Sequence, residues 1–380
     1  MFRLLKKNGN SVTFALWLGV SLTTLLFGLW PHDLVLFNQL VCSSNPAGLN
    51  FGKYGIAYSE PFDFYSFSSN GSFTLEVAFR PSPAHQSNFK NILTIYGHDD
   101  LTQLIIGQWK SWIIVMQGSD YDYSLKRPRI SFKIGHDNQH DDIVFLTLLI
   151  SQKETKLFLD GQLKYAKKPF LFRLPHEKVR LIIGNDAYSL HPWNGSIYGV
   201  ALYPDALTIH EIHHDWICWS SCQCFDFPRE TQPLLCYDFK EICKTRKIIN
   251  NGNPSEGLII PKTIVVLKKQ FLKWPQDLGV VNEKGFFTDI TINIVGFVPV
   301  GAITMLFFFN ILDNNLKKSF LFSLFYCCSM SLFIEFSQMW LPSRYSDMLD
   351  FVCNVLGALV GIFLAFKFFR LFRFLSSNMV

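Results

Sequence analysis

Four apolar stretches constrain this chain more than any other feature. Residues 11–30, and then about 286–309, 319–341 and 348–366, each approach the roughly 20 apolar residues that an α-helix needs to cross a bilayer. A backbone in lipid must satisfy its own hydrogen bonds, so such stretches are membrane helices. Residues 32–284 hold no comparable run and read as a large domain between the first span and the other three.

The basic residues orient these spans. Arg3, Lys6 and Lys7 precede the first, Lys317 and Lys318 fall between the second and third, and Lys367, Arg370 and Arg373 follow the fourth. The positive-inside bias puts all of them in the cytoplasm and residues 32–284 outside. Lys262, Lys268, Lys269 and Lys273 fall outside, at the end of a long translocated domain where the bias is weak. No small-x-small cleavage site follows the first span, which reads as an uncleaved anchor. The expectation is a multi-pass protein of the cytoplasmic (inner) membrane, in contact with lipid. A net charge of +5, scattered along 380 residues, does not suggest nucleic-acid binding.

The outer segment has the patterning of an all-β domain. From Ser72 to Arg80, Phe73, Leu75, Val77 and Phe79 alternate with Thr74, Glu76, Ala78 and Arg80, the period of a half-buried strand. Similar runs occupy 103–108, 111–117, 130–134, 143–151, 179–184 and 196–203. Asp160-Gly161 between two alternating runs marks a hairpin whose two turn residues need positive φ. Thr208 and Glu211 have capping-box spacing for a short helix. Residues 50–215 resemble the concanavalin A-like, laminin G-like jelly-roll family in that hairpin, in Ile183-Gly184-Asn185 and in the closing strand and helix. The resemblance implies an antiparallel sandwich and does not name a ligand. The expected organisation is thus 1–31 with the first span, a jelly roll over 50–215, a Cys-rich segment and linker over 216–284, three spans over 285–367 and a basic tail over 368–380. Leu258 to Trp274, basic and ending in Trp, suits either a membrane surface or a plain connector.

Three features of the outer segment bear on covalent and metal chemistry. Cys42, Cys218, Cys222, Cys224, Cys236 and Cys243 allow up to three disulfides in an oxidising compartment, with pairing open. Cys218-x3-Cys222-x-Cys224 fits no standard zinc spacing well, so disulfides are the expectation. His210-Glu211-Ile212-His213-His214 satisfies the His-Glu-x-x-His pattern of zinc hydrolases, but it sits on the short capped helix with no evident third ligand. Asp137, Asp141 and Asp142, with Asn138, supply oxygens that could hold calcium, or form a solvated loop.

Chemistry concentrates in the last three spans. Asp289-x3-Asn293-x2-Gly296 and Asp350-x3-Asn354-x2-Gly357 repeat one spacing, each along one helix stripe. Glu335 and Gln338 share a face of the span between them. All three carboxylates fall within about two turns of the outer surface, where Arg344 and Asp347 also lie. Ionisable groups in a membrane are expensive and default to function, here a polar pocket open to the outside. Three carboxylates together require a cation, a proton or Arg344 to offset their repulsion. Such a pocket could hold the phosphate or carboxylate of a lipid-linked substrate on Arg344, could hold a divalent ion, or could simply join helices. Gly296, Gly301, Gly357 and Gly361 suit close helix packing.

Asp289-Ile-Thr-Ile-Asn-Ile-Val-Gly-Phe-Val-Pro-Val-Gly301, with Glu335-x2-Gln338 and Arg344-x2-Asp347-x2-Asp350-x3-Asn354-x2-Gly357-x3-Gly361, resembles the VanZ-like membrane family over about 280–366. The resemblance implies an integral membrane protein and, through its namesake, a role in envelope biogenesis or resistance to the glycopeptide teicoplanin; it implies no particular reaction. The combined expectation is a protein whose outer domain binds or positions an envelope glycan over the pocket. Its rivals are an enzyme or carrier acting on a lipid-linked precursor, and a protein-binding adaptor.

Overall fold

The computed structural model describes the chain except Met1 and residues 31–34, 65–70, 83–87, 98–102, 122, 124–125, 135–142, 168–176, 223–231, 240–246, 249, 251–256, 270, 276–285, 314, 342–343 and 378–380, and without side-chain placement for 2–10, 167, 222, 247 and 369–377. The chain divides into two compact units, one of Met1–Leu34 with Lys269–Val380 and one of Val35–Lys268.

The Val35–Lys268 unit is an antiparallel sandwich. One sheet runs in the order β1 (Val41–Ser44), β2 (Ala47–Asn50), β13 (Ser196–Tyr203), β4 (Phe73–Arg80), β9 (Val144–Ile150), β10 (Thr155–Leu159) and β11 (Gln162–Lys167), with β14 (Leu235–Asp238) also on β13. The other runs β15 (Lys247–Ile248), β16 (Leu258–Ile259), β3 (Ala57–Ser59), β12 (Arg180–Ile183), β5 (Lys90–Tyr96), β6 (Leu104–Trp109), β7 (Trp112–Gln117) and β8 (Arg129–Lys133). Alternation brings Phe73, Leu75, Val77 and Phe79 of β4 into one core with Leu93 and Ile95 of β5, Leu104 and Ile106 of β6 and Leu181 and Ile183 of β12. Asp160 and Gly161 turn the β10–β11 hairpin at φ 50° and 72°.

Three sequence expectations change here. The strands extend past 50–215, because 41–50 supplies β1 and β2 and 235–259, expected as Cys-rich segment and linker, supplies β14 to β16. Strand β4 is buried on both faces, not half-buried: Glu76 is 0% exposed, and α2 (Ile209–Cys222) packs over that sheet through Ile212 and Trp219 against Ala78, Phe145 and Tyr203. The six-cysteine disulfide expectation fails at Cys236, which is a free thiol. Cys236 sits on β14 at 0% exposure, facing the α2 layer, and burial pushes its thiol far up. Cys42 is disulfide-bonded, and the side chain of Cys222 and all of Cys224 and Cys243 lie outside the described residues.

The other unit is helical: α1 (Phe2–Gly28), α3 (Phe286–Ile311), α4 (Leu316–Gln338) and α5 (Met348–Ser377). All four contain apolar stretches long enough to cross a membrane. Helix α3 lies against α5 closely enough that a Cβ at Gly301 would stand 2.1 Å from Ala358 O, at Gly357 2.1 Å from Ile294 O and at Gly361 1.9 Å from Val298 O. Gly296 does not belong with them: nothing lies within 4 Å of its Cβ position, so its expected helix-packing role is incorrect. Helix α1 is held to the others by Trp17 stacked on Phe307 at 4.6 Å and by Tyr326 Oη donating to Ser21 Oγ at 2.8 Å.

Candidate functional site

The helical unit encloses a cavity of about 670 Å³ between α1, α3, α4, the α4–α5 connection and the start of α5. Asp289, Asn293, Glu335, Gln338, Arg344, Asp347, Asp350 and Asn354 all line it, so residues from three spans and one connection converge on a single space. The antiparallel order explains the convergence. Helices α3 and α5 begin at the end of the bundle where α4 finishes, so carboxylates in their first turns meet Glu335 and Gln338 in the last turn of α4.

Local chemistry sets each group. Asp347 caps α5: its Oδ1 accepts from Leu349 N at 2.7 Å, as a residue at the N-cap does. Its own N–H donates to Glu335 Oε2 at 2.8 Å, which compensates a carboxylate that is 1% exposed and stands at the unfavourable C-terminal end of α4. Asn293 Nδ2 donates to Asp350 Oδ1 at 2.6 Å, joining the two repeated stripes across the α3–α5 contact. Asn354 Nδ2 donates to Ser331 Oγ at 3.0 Å, and Gln338 Nε2 to Gly28 O at 2.7 Å, where it ties α4 to the end of α1. Asp289 and Asp350 lie in first helical turns, where the positive end of the helix dipole favours a carboxylate. Just outside the spans, burial pushes the Asp347 carboxyl up to about 7, and the neighbouring Asp350 adds to the effect.

Two polar atoms are left over. Among the described residues, Arg344 Nε and Asn354 Oδ1 are buried without a hydrogen-bond partner, although both side chains line the cavity. Buried polar groups are otherwise paired in proteins, so these mark capacity for a ligand or water.

The cavity is longer than its polar end. Its wall runs from Gly28 to Ala15 along α1 and from Phe286 to Pro299 along α3, about 20 Å at the helical rise. Towards Ala15 and Pro299 the lining is Leu16, Gly19, Val20, Gly296 and Phe297, with no charge. Leu16, Gly296 and Pro299 are exposed, so this part opens sideways on a surface that otherwise carries Val295 and Phe287. The contribution of α1 is invisible to a search for ionisable residues; its signal is the run of small and hydroxyl residues Gly19, Ser21, Thr23 and Thr24. Ser331 and Ser346 also escape notice, although Ser346 Oγ accepts from Leu272 N at 3.0 Å and helps dock the 271–273 segment beside Asp347.

The other sequence candidates belong to the Val35–Lys268 unit. Glu211 is committed to the capping box, its Oε2 accepting from Thr208 N at 2.7 Å and Oγ1 at 2.8 Å. Among the described residues, no three His, Cys, Asp or Glu side chains are grouped to hold a metal ion. Asp137, Asp141 and Asp142 lie outside the described residues.

Residues 241–372 match the VanZ/LLP1 family model. The VanZ/LLP1 region begins within the strand-bearing segment and takes in α3, α4 and most of α5, but not α1. No curated protein matches the chain. Among solved structures, the chain is similar to a protein described as carbohydrate-binding from Bacteroides ovatus, at 13% identity and TM-score 0.38, covering 58% of this chain and 61% of that one. It is similar to botulinum neurotoxin type C, in a study of its cell entry through two ganglioside molecules, at 13% identity and TM-score 0.38, covering 48% and 45%. A third is the Ruminococcus gnavus sialidase module CBM40 bound to α2,3-sialyllactose, at 12% identity and TM-score 0.32, covering 44% and 95%. The chain spans about half the length of the first solved structures it matches.

Proposed function

We propose that this multi-pass membrane protein binds a lipid-linked precursor of the cell envelope, with the lipid chain along α1 and α3 and the headgroup among the polar residues. The observation that carries this reading is one cavity with a charged end and an uncharged, laterally open length of about 20 Å, the division of an amphiphile. A network that only joined helices would consume its polar groups, whereas Arg344 Nε and Asn354 Oδ1 are unmet. The sandwich lies on the outer side of the cytoplasmic membrane and binds the saccharide. Its outer placement is supported by Lys317, Lys318 and Lys367 at the opposite ends of the spans from Asp289 and Asp350. Saccharide binding is supported by Trp109 and Trp112, 39% and 36% exposed as a cross-strand pair beside the β6–β7 turn, with Lys110 Nζ 4.7 Å from the Trp109 ring centroid.

The test is photocrosslinking of the full protein in nanodiscs with a polyprenyl phosphate bearing a diazirine in its chain. Labelling should fall on Leu16–Val20 and Gly296–Pro299. Gly19→Phe, which fills open space where no atom lies within 4 Å of the Cβ position, should remove it without unfolding the protein. Labelling confined to outward residues such as Phe287 and Val295, unaffected by Gly19→Phe, would refute occupancy of the cavity. Trp109→Ala with Trp112→Ala should abolish retention on envelope polysaccharide; undiminished retention removes the saccharide part.

A further inference from the structure

The polar end of the cavity offers groups of both charges, and their arrangement restricts the headgroup it can take. Asp289, Glu335, Asp347 and Asp350 put four carboxyl groups on the wall, against the Arg344 guanidinium. An anion alone would find Arg344 but would face the carboxylates. A divalent cation alone would suit the carboxylates, yet it would repel Arg344 and leave its Nε without an acceptor. The unmet atoms make the same demand from the other side: Arg344 Nε is a buried donor that needs an acceptor, and Asn354 Oδ1, on a residue 3% exposed, is a buried acceptor that needs a donor. Asn354 stands one turn below Asp350 on α5, on the same stripe, so a donor reaching it passes the carboxylates.

We infer that the cavity selects a zwitterionic lipid headgroup, whose primary ammonium donates to Asn354 and the carboxylates while its phosphate accepts from Arg344. This inference rests on the lipid-binding reading above and goes further by naming the headgroup class. A quaternary or acylated amine has the wrong character: the first has no N–H to donate, and the second has no charge to set among carboxylates. Two lipids share the required chemistry, an aminophospholipid of the bilayer and a polyprenyl diphosphate carrying an amino sugar with a free amine.

The experiment is displacement of the diazirine lipid from the full protein in phosphatidylcholine nanodiscs. The first series compares phosphatidylethanolamine, its N-acetylated form and phosphatidylglycerol; the second compares the free-amine and N-acetyl forms of an amino-sugar polyprenyl diphosphate. In at least one series the free amine should displace the probe at about tenfold lower concentration than its acetylated form, as a charged hydrogen bond implies. The series that discriminates identifies the source. Arg344→Gln should weaken amine and N-acetyl forms alike, because both keep the phosphate, leaving their ratio unchanged. Equal displacement by amine and N-acetyl forms in both series overturns the inference, as does displacement by phosphatidylglycerol as readily as by phosphatidylethanolamine, or by magnesium ion alone. These outcomes leave lipid binding itself standing. If no probe lipid labels the cavity, the parent reading fails and this one with it.

Discussion

Replacing Gly361 by Ala tests the helix contact on which the site is built. A Cβ there would stand 1.9 Å from Val298 O and 2.7 Å from Ala302 N, both backbone atoms of α3, where ordinary contacts begin at 3.4 Å. Relief along the tighter direction needs 3.4 − 1.9 = 1.5 Å, and no side chain can move aside to provide it. The two helices must separate, which loosens the packing of Phe297 and Val300 on Ala358 and of Met305 on Ile362. A radial gap of even about 1 Å forfeits up to half of each dispersion contact. Overpacking of this kind costs about 1–3 kcal/mol, and a contact between two backbones belongs at the upper end. Ala gains about 1 kcal/mol over Gly in helix propensity, so a control must carry the same gain. Gly296→Ala supplies it, one helix away and with nothing within 4 Å. Reversible unfolding in mixed micelles, followed by tryptophan fluorescence, should therefore place Gly361→Ala about 2–3 kcal/mol below Gly296→Ala. Equal stabilities would refute the close α3–α5 approach, because the two substitutions then differ in nothing that matters.

Other expected outcomes follow from single groups. The Asp347 carboxyl titrates near 7 in the fold against an ordinary 3.8, so the folded protein binds more protons between those values. The contribution of Asp347 to stability should be full below about pH 4 and be lost as pH rises towards 7, and melting curves of Asp347→Asn, which keeps the cap to Leu349, should lose that part of the slope. Thr208→Ala removes the side-chain arm of the α2 capping box, in which Glu211 N donates to Thr208 Oγ1, leaves the backbone arm from residue 208 N to Glu211 Oε2, and should cost the sandwich about 1 kcal/mol in denaturant unfolding. Thiol labelling followed by mass mapping should modify Cys236 only after unfolding, with Cys42 protected until reduction.

Much of the candidate site was legible because membrane helices reduce the problem to one dimension. Once three spans are marked, their alternating direction and the rise per residue bring Asp289, Glu335 and Asp350 to one level, and their cost in lipid singles them out. Small residues carry no such signal. Gly296 and Gly357 follow Asn at the same spacing, yet Gly357 presses on the backbone of α3 while Gly296 faces the cavity. The sandwich was legible where apolar and polar residues alternate, as in β4, and less so in β5, where buried Asn91, bonded to Thr94, interrupts the apolar run. The short strands β14 to β16 lie in a stretch whose composition resembles a linker, and pairing with β13 and β3, not propensity, makes them strands.

By itself the sequence determined that the chain has four membrane helices and an antiparallel sandwich, and which ionisable residues the spans carry. Apolar run length, period-two alternation and the cost of charge in lipid are local properties, and they act on any fold the chain could adopt. Only the tertiary structure decided that α1 walls the cavity, that Cys236 stays unpaired, and that Arg344 Nε and Asn354 Oδ1 are left without partners among the described residues. Those outcomes depend on which groups lie within a few ångströms across different elements. Packing settles such distances, and no periodicity along the chain encodes them.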